Sequence, residues 1–131
     1  MWRFGRDKPD EVWDEPLDGP LGDIEAAERV RSICRSAVDS AGQAAHLAGS
    51  GKRSAQKKHQ VESDRYERAA KAAMEIAIKM SDELMRDAAV REIVDLCLTA
   101  NNTKTATILF RAIHAPAIRD MVLRDHPELG R

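Results

Sequence analysis

The sequence has few aromatic residues and no long apolar run. Phenylalanine, tryptophan and tyrosine make up 4% of its 131 residues, and the β-branched and aromatic runs that form strands are missing. No stretch approaches the roughly 18 consecutive apolar residues that a membrane-spanning helix needs. We therefore expect neither a β-sheet fold nor a membrane protein.

The chain also has no excess of charge of one sign. Its 21 lysines and arginines nearly balance its 22 acidic residues, which leaves a formal net charge of -1. No whole-chain field attracts nucleic acid or an anionic membrane. Residues 1–6 lack the apolar core of a signal peptide, and Cys34 and Cys97 fall in apolar stretches without a CxxC motif, as buried reduced thiols do. We expect a cytoplasmic protein.

Residues 1–22 differ in composition from the rest of the chain. Prolines and glycines interrupt them, so they cannot form a regular helix or a central strand. We predict an extended arm over 1–22 and a single helical-bundle domain over 23–131. The arm carries large aromatic side chains that are costly to leave in water: Trp2, Phe4 and Trp13. They either fold back on the chain's own helices or contact a partner.

Alanine-rich stripes with helical spacing dominate the following residues. The first runs through Ala27, Val30, Cys34, Ala37, Ala41, Ala44 and Ala48, and the second through Tyr66, Ala70, Ala73, Ala77, Met80 and Leu84. The spacing of three and four predicts two helices, the first capped by Asp23 and ending at Gly49-Ser50-Gly51, the second starting near Arg53. We expect an antiparallel hairpin with Ala37, Ala41, Ala73 and Ala77 as its core. Gly42 costs about 1 kcal/mol relative to alanine unless a close approach uses it.

The stripe changes phase after Leu84, which leaves open whether residues 53–100 form one helix or two. We place a break at Ser81, as the N-cap of a third helix that ends near Ala100-Asn101-Asn102. A fourth helix starts around Asn102 or Thr103, and Pro116 begins a fifth that stops before His126-Pro127. The predicted fold class is all-α, a bundle of four to five helices built on a long antiparallel hairpin.

No catalytic, metal-binding or cofactor-binding motif stands out in the sequence. An ExxH or HxxxH pair, which puts two metal ligands on one helical face, is missing, and we predict no metal and no cofactor. The strongest charge cluster is basic and opens the second helix: Lys52, Arg53, Lys57 and Lys58. It is typical of a solvated turn, and the alternatives are contact with a phosphate backbone or with an acidic protein partner.

Three hypotheses for function follow. The preferred one is a non-enzymatic interaction or regulatory module that forms a homodimer through helix packing, with Trp2, Phe4 and Trp13 as accessory partner contacts. The second is a small nucleic-acid-binding regulator that uses the basic residues at 52–58. The third is a bundle enzyme or histidine phosphotransfer protein centred on His46 or His114. No membrane partner is expected.

Overall fold

A computed structural model describes residues 11–14 and 19–130 of the chain, and within these ranges the fold is all-α without strands. Two short 3-10 turns, Val12–Asp14 and Pro127–Gly130, accompany the helices. The five helices are α1 (Asp23–Leu47), α2 (Arg53–Ala77), α3 (Glu83–Thr99), α4 (Thr103–Arg111) and α5 (Pro116–Asp125). The predicted all-α bundle is confirmed.

The hairpin of α1 and α2 is the framework of the fold. Its predicted core residues Ala37, Ala41, Ala73 and Ala77 are fully buried, because a methyl side chain lets two helix backbones approach closely. Gly49, with a φ of +82°, ends α1 in the left-handed conformation that glycine adopts without strain. The predicted hairpin and its turn are confirmed.

Helix α3 runs parallel to α1 and packs against both helices of the hairpin. At one end, the Asp23 carboxylate accepts hydrogen bonds from the backbone N–H groups of Ser81 (2.9 Å) and Asp82 (2.8 Å). At the other end, Val38 of α1 lines a cleft with Thr99, the last residue of α3. The prediction that Asp23 caps its own helix is wrong: Gly22 is the N-cap, and Asp23 instead fixes the turn before α3.

The break between α2 and α3 occurs as predicted, so residues 53–100 form two helices. The N-cap of α3 is one residue later than expected, because the Asp82 carboxylate accepts from the Leu84 N–H (3.3 Å) and Ser81 does not cap. Leu84 was placed in the buried stripe of the second helix, and that prediction is wrong. The chain turns at Met80–Asp82, which leaves the Leu84 side chain 55% exposed.

Helices α4 and α5 close the bundle on α3. The Asn102 side chain caps α4 by accepting from Thr105 N–H (3.3 Å). Pro116 starts α5, where its missing N–H costs nothing. The buried Asp87 carboxylate of α3 accepts from the N–H groups of His114 (3.0 Å) and Ala115 (2.8 Å). These two hydrogen bonds fix the α4–α5 turn onto α3.

Candidate interaction surface

The α1–α2 hairpin extends beyond the end of α3. Helix α3 ends at Thr99, level with Val38 of α1, and Asn102 then donates a hydrogen bond to the Tyr66 hydroxyl of α2 (2.9 Å). The rest of the hairpin, residues 39–65, has none of the other three α-helices of the described chain beside it, and we call it the protruding hairpin. At 1.5 Å per residue, the part of α2 from Arg53 to Tyr66 is about 20 Å long.

Helix α3 covers one side of the α1–α2 hairpin, and beyond the end of α3 the same side continues along the protruding hairpin. On α1 it begins at Val38, at the base of the protruding hairpin, and continues through Gly42 and Ala45, spaced four and three residues apart. On α2 it is formed by His59 and Ser63, whose spacing leads on to Tyr66. We call these five residues the open face. Val38 is 42% exposed and the other four are half-buried, so a partner that packs here meets the small side chains of Gly42, Ala45 and Ser63.

Gly42 is the smallest residue of the open face, and no contact with residues 11–14 or 19–130 requires a glycine there. A Cβ atom built on Gly42 meets no heavy atom within 4 Å, and its φ is not positive. The close approach that would account for a glycine in the middle of α1 is therefore not made within the described residues of this chain. The space above Gly42 is open.

The tip of the protruding hairpin is basic. Lys52, Arg53, Lys57 and Lys58, which we call the basic tip, are all exposed, and none forms an ion pair with another described residue. The first turn of α2 holds no acidic residue, and its N-cap Lys52 provides no side-chain cap. The positive end of the helix dipole adds to these charges, so the tip attracts anions.

An acidic group lies at the end of the bundle where α3 and α5 finish. Asp95, Asp125 and Glu128 line one shallow cleft that also contains His126 and Thr99, and no lysine or arginine lines it within the described residues. His126 Nε2 lies 3.2 Å from Asp95 Oδ1, and Arg91 pairs with Asp125 at 3.3 Å. The three carboxylates, which we call the acidic corner, are exposed. Asp95 and Thr99 also line the cleft that holds Val38, so this corner continues into the open face.

Of the arm residues predicted to contact a partner, the structure describes only Trp13. Trp13 is only 7% exposed and packs against α1 and α2 of its own chain, where the Arg65 guanidinium lies 5.8 Å from its ring centroid. Arg65 also pairs with Glu11 at 2.7 Å, and Arg29 donates to the Val12 carbonyl (3.1 Å). The Trp13 ring therefore faces its own helices. Trp2 and Phe4 lie outside the described residues.

The two cysteines are buried between α1, α2 and α3. Burial raises the pKa of Cys34 to about 12, with a smaller contribution from Glu92. Burial also raises the pKa of Cys97, although a hydrogen bond with Tyr66 acts in the opposite direction. A thiol that holds its proton this firmly is a poor nucleophile, so these side chains function as core residues.

The histidines of the enzyme hypothesis do not meet other reactive groups. His46 is exposed in the last turn of α1, and His114 is exposed in the turn between α4 and α5. Neither imidazole forms a hydrogen bond with a described side chain. Within residues 11–14 and 19–130, no three histidine, cysteine or acidic side chains are placed to hold a metal ion. No described helix is long and apolar enough to cross a membrane.

Sequence reasoning missed a second apolar surface at the opposite end of the bundle. Ile24, Ile78 and Leu84 are 70%, 61% and 55% exposed, and each lies within three residues of the hydrogen bonds between Asp23 and the α2–α3 turn. Acidic side chains at Glu25, Glu28, Asp82 and Glu83 are exposed around this end. The signal in the sequence was the turn at Met80–Asp82, which removes Leu84 from the buried stripe.

Comparisons with known proteins identify no relative: no protein-family model, curated protein or solved structure matches this chain.

Proposed function

We propose that this chain is a non-enzymatic protein-interaction or regulatory module that associates with a second copy of itself through the open face. The observation that carries the proposal is the extension of the hairpin past the end of α3, which leaves the open face without a covering helix from residues 11–14 and 19–130. Two such hairpins placed face to face form a four-helix bundle, an arrangement in which helices bury their remaining faces efficiently.

Gly42 supports this choice of surface. A glycine in a helix interior costs about 1 kcal/mol relative to alanine, and no close contact within the described chain accounts for it. Crossing helices approach most closely where their side chains are small, so a glycine near the middle of the protruding hairpin suits a helix-crossing point. The partly exposed Val38 beside it adds apolar area to bury.

The test is the mass of the purified full chain, measured by size-exclusion chromatography with light scattering across a range of concentrations. We expect a concentration-dependent dimer. Gly42→Gln starts from a Cβ position that meets no described heavy atom within 4 Å and extends into the space above α1, and glutamine favours helix more than glycine does. This variant should stay folded and become monomeric.

A matched control keeps the result specific to the open face. Ile78→Gln places the same side chain at a 61% exposed position at the opposite end of the bundle, away from both the open face and the basic tip. It should leave the dimer intact. A wild-type chain that stays monomeric at every concentration would contradict the proposal, and so would a Gly42→Gln variant that dimerises as well as wild type.

A second candidate, nucleic-acid binding, is favoured by the basic tip. Its four cations are exposed and free of ion pairs with described residues, and they stand at the positive end of a long helix. Binding through phosphate contacts should weaken steeply as salt rises and should weaken again in Lys57→Ala with Lys58→Ala. Absence of binding to DNA and RNA at low salt, with a 260/280 nm ratio typical of protein alone, would reject this candidate.

A further inference from the structure

We infer that the two copies pair around a two-fold axis with their protruding hairpins antiparallel, so that the basic tip of each copy lies against the acidic corner of the other. This inference rests on the proposed self-association and specifies its geometry and its electrostatic basis. The basic tip and the acidic corner lie at different places in the fold and carry opposite charges, and the inference makes each the partner of the other.

The dimensions of the chain support the antiparallel arrangement. The protruding part of α2 measures about 20 Å from Arg53 to Tyr66, and the acidic corner lies at the base of this protrusion, where α3 ends. When two protruding hairpins overlap along their whole length in opposite directions, the tip of each one reaches the base of the other. The basic tip of one copy then meets the acidic corner of its partner.

The position of Gly42 fits the centre of the same arrangement. The protruding part of α1 covers residues 39–47, so Gly42 lies close to its midpoint. A two-fold axis between fully overlapping hairpins passes near the middle of each protrusion, where Gly42 of one copy approaches Gly42 of the other. This is the position at which the backbones come closest, and the open space above Gly42 accommodates the partner helix.

Charge complementarity selects this pairing over a parallel one. A parallel pairing places two basic tips side by side, and like charges brought together are unfavourable. The antiparallel pairing places four cations of one copy near three carboxylates of the other, twice in each dimer. Because both copies use the same surfaces, the contact is isologous and closes at two chains. The charged contacts are exposed, so added salt should weaken the dimer by screening.

The experiment reverses the two charge groups separately and then combines them. One full-length variant replaces all four basic-tip residues by glutamate (Lys52→Glu, Arg53→Glu, Lys57→Glu and Lys58→Glu), and the other carries Asp125→Lys with Glu128→Lys. Each variant alone should form its own dimer about tenfold or more weakly than wild type, because the attractive contacts between copies become repulsive at both ends. When the two variants are mixed, both ends become complementary again, and a one-to-one dimer should form with affinity close to that of wild type.

A matched control reverses two exposed carboxylates at the other end of the bundle. Glu25→Lys with Glu28→Lys makes the same change of net charge as the acidic-corner variant, and it should leave dimerisation unchanged. Circular dichroism checks that every variant keeps its helices. Mass is measured by light scattering for each variant alone and for the mixture.

The outcomes separate this inference from the proposed function. A wild-type monomer would overturn both. A wild-type dimer whose charge-reversed variants dimerise as well as wild type would overturn the two-fold charge pairing and leave self-association standing. A mixture that fails to restore dimerisation would also overturn the pairing, as would masses that keep rising with concentration, because an isologous contact stops at two chains. Loss of the dimer in Glu25→Lys with Glu28→Lys would place the contact at the other end of the bundle.

Discussion

Removing the Asp87 carboxylate should be among the most destabilising single changes on α3. Asp87 is fully buried, and its Oδ2 atom accepts hydrogen bonds from the N–H groups of His114 and Ala115. Its Oδ1 atom is buried without a hydrogen-bond partner among the described residues. Asp87→Ala leaves two backbone donors at the start of α5 without their acceptor and removes the negative charge that faces the positive end of that helix.

The size of the effect follows from these contacts. A hydrogen bond to a charged group contributes about 1.5–3 kcal/mol, so two such bonds contribute about 3–6 kcal/mol. Part of this is offset because the variant no longer buries the unpartnered Oδ1, which costs about 1–3 kcal/mol. The mid-range values, about 4.5 and about 2 kcal/mol, leave an expected net loss in the free energy of unfolding of about 2–3 kcal/mol. For a domain of this length, a loss near 3 kcal/mol lowers the melting temperature by about 10 °C.

Urea denaturation followed by circular dichroism measures this loss directly. Asp87→Asn is the matched variant: it keeps an oxygen acceptor of the same shape but removes the charge, so its stability should lie between those of wild type and Asp87→Ala. If Asp87→Ala unfolds within about 0.5 kcal/mol of wild type, which is the scatter expected of an ordinary surface substitution, then the α4–α5 turn does not depend on this carboxylate and the reasoning is refuted.

Three other predictions follow from the fold. Gly42→Ala should stabilise the monomer by up to about 1 kcal/mol in urea titrations, because the added methyl meets no described atom and favours helix. Gly49→Ala should destabilise the monomer, because the φ of Gly49 is +82°. Equal changes in the free energy of unfolding for the two variants would contradict this. Trp13→Ala should cost about 3–5 kcal/mol, since the ring is 7% exposed in the core; a loss under 1 kcal/mol would show that the arm is not structural. Burial raises the pKa of Cys34 from 9.0 to about 12, so the stability that this thiol contributes is complete below pH 9. That stability is lost as the unfolded chain deprotonates between pH 9 and 12. Melting temperatures measured across that range should therefore fall less in Cys34→Ala than in wild type.

The sequence was sufficient for the elements that repeat over many turns. Alanine stripes with spacings of three and four predicted the hairpin, because every position along a buried helical face must be small or apolar. Pro116 and Gly49 marked a helix start and a helix end, since each residue has a backbone geometry that suits that place. Local chemistry therefore predicted four to five helices and most of their limits.

Features that depend on contacts between distant residues were not predictable in this way. Asp23 has the residue type and the position of an N-cap, yet its carboxylate accepts hydrogen bonds from the backbone of residues 81 and 82, far along the chain. Leu84 fits the apolar spacing of α2, but the turn before α3 takes it out of that helix. The role of Asp87 depends on the packing of the α4–α5 turn against α3, and the open face depends on where α3 ends relative to the hairpin.

The candidate site was predicted only in part. The basic residues at 52–58 and the unusual Gly42 were visible in the sequence, whereas the acidic corner was not, because Asp95 comes from α3 and Asp125 and Glu128 come from the end of the chain. The uncovered length of the hairpin is a difference between the lengths of packed helices, and no single helix contains that information. For Trp13 the sequence left two alternatives open, contact with a partner or with its own helices, and the structure shows that its ring faces its own bundle.

Sedimentation equilibrium of the wild-type chain and of Gly42→Gln, at matched concentrations, tests most directly the central claim that this chain associates through the open face. The account predicts that wild type shifts from the mass of one chain, 14.6 kDa, towards twice that mass as concentration rises, while Gly42→Gln stays folded at the mass of one chain. A wild-type chain that remains at the mass of one chain, or a Gly42→Gln variant that reaches twice that mass as readily as wild type, would contradict it.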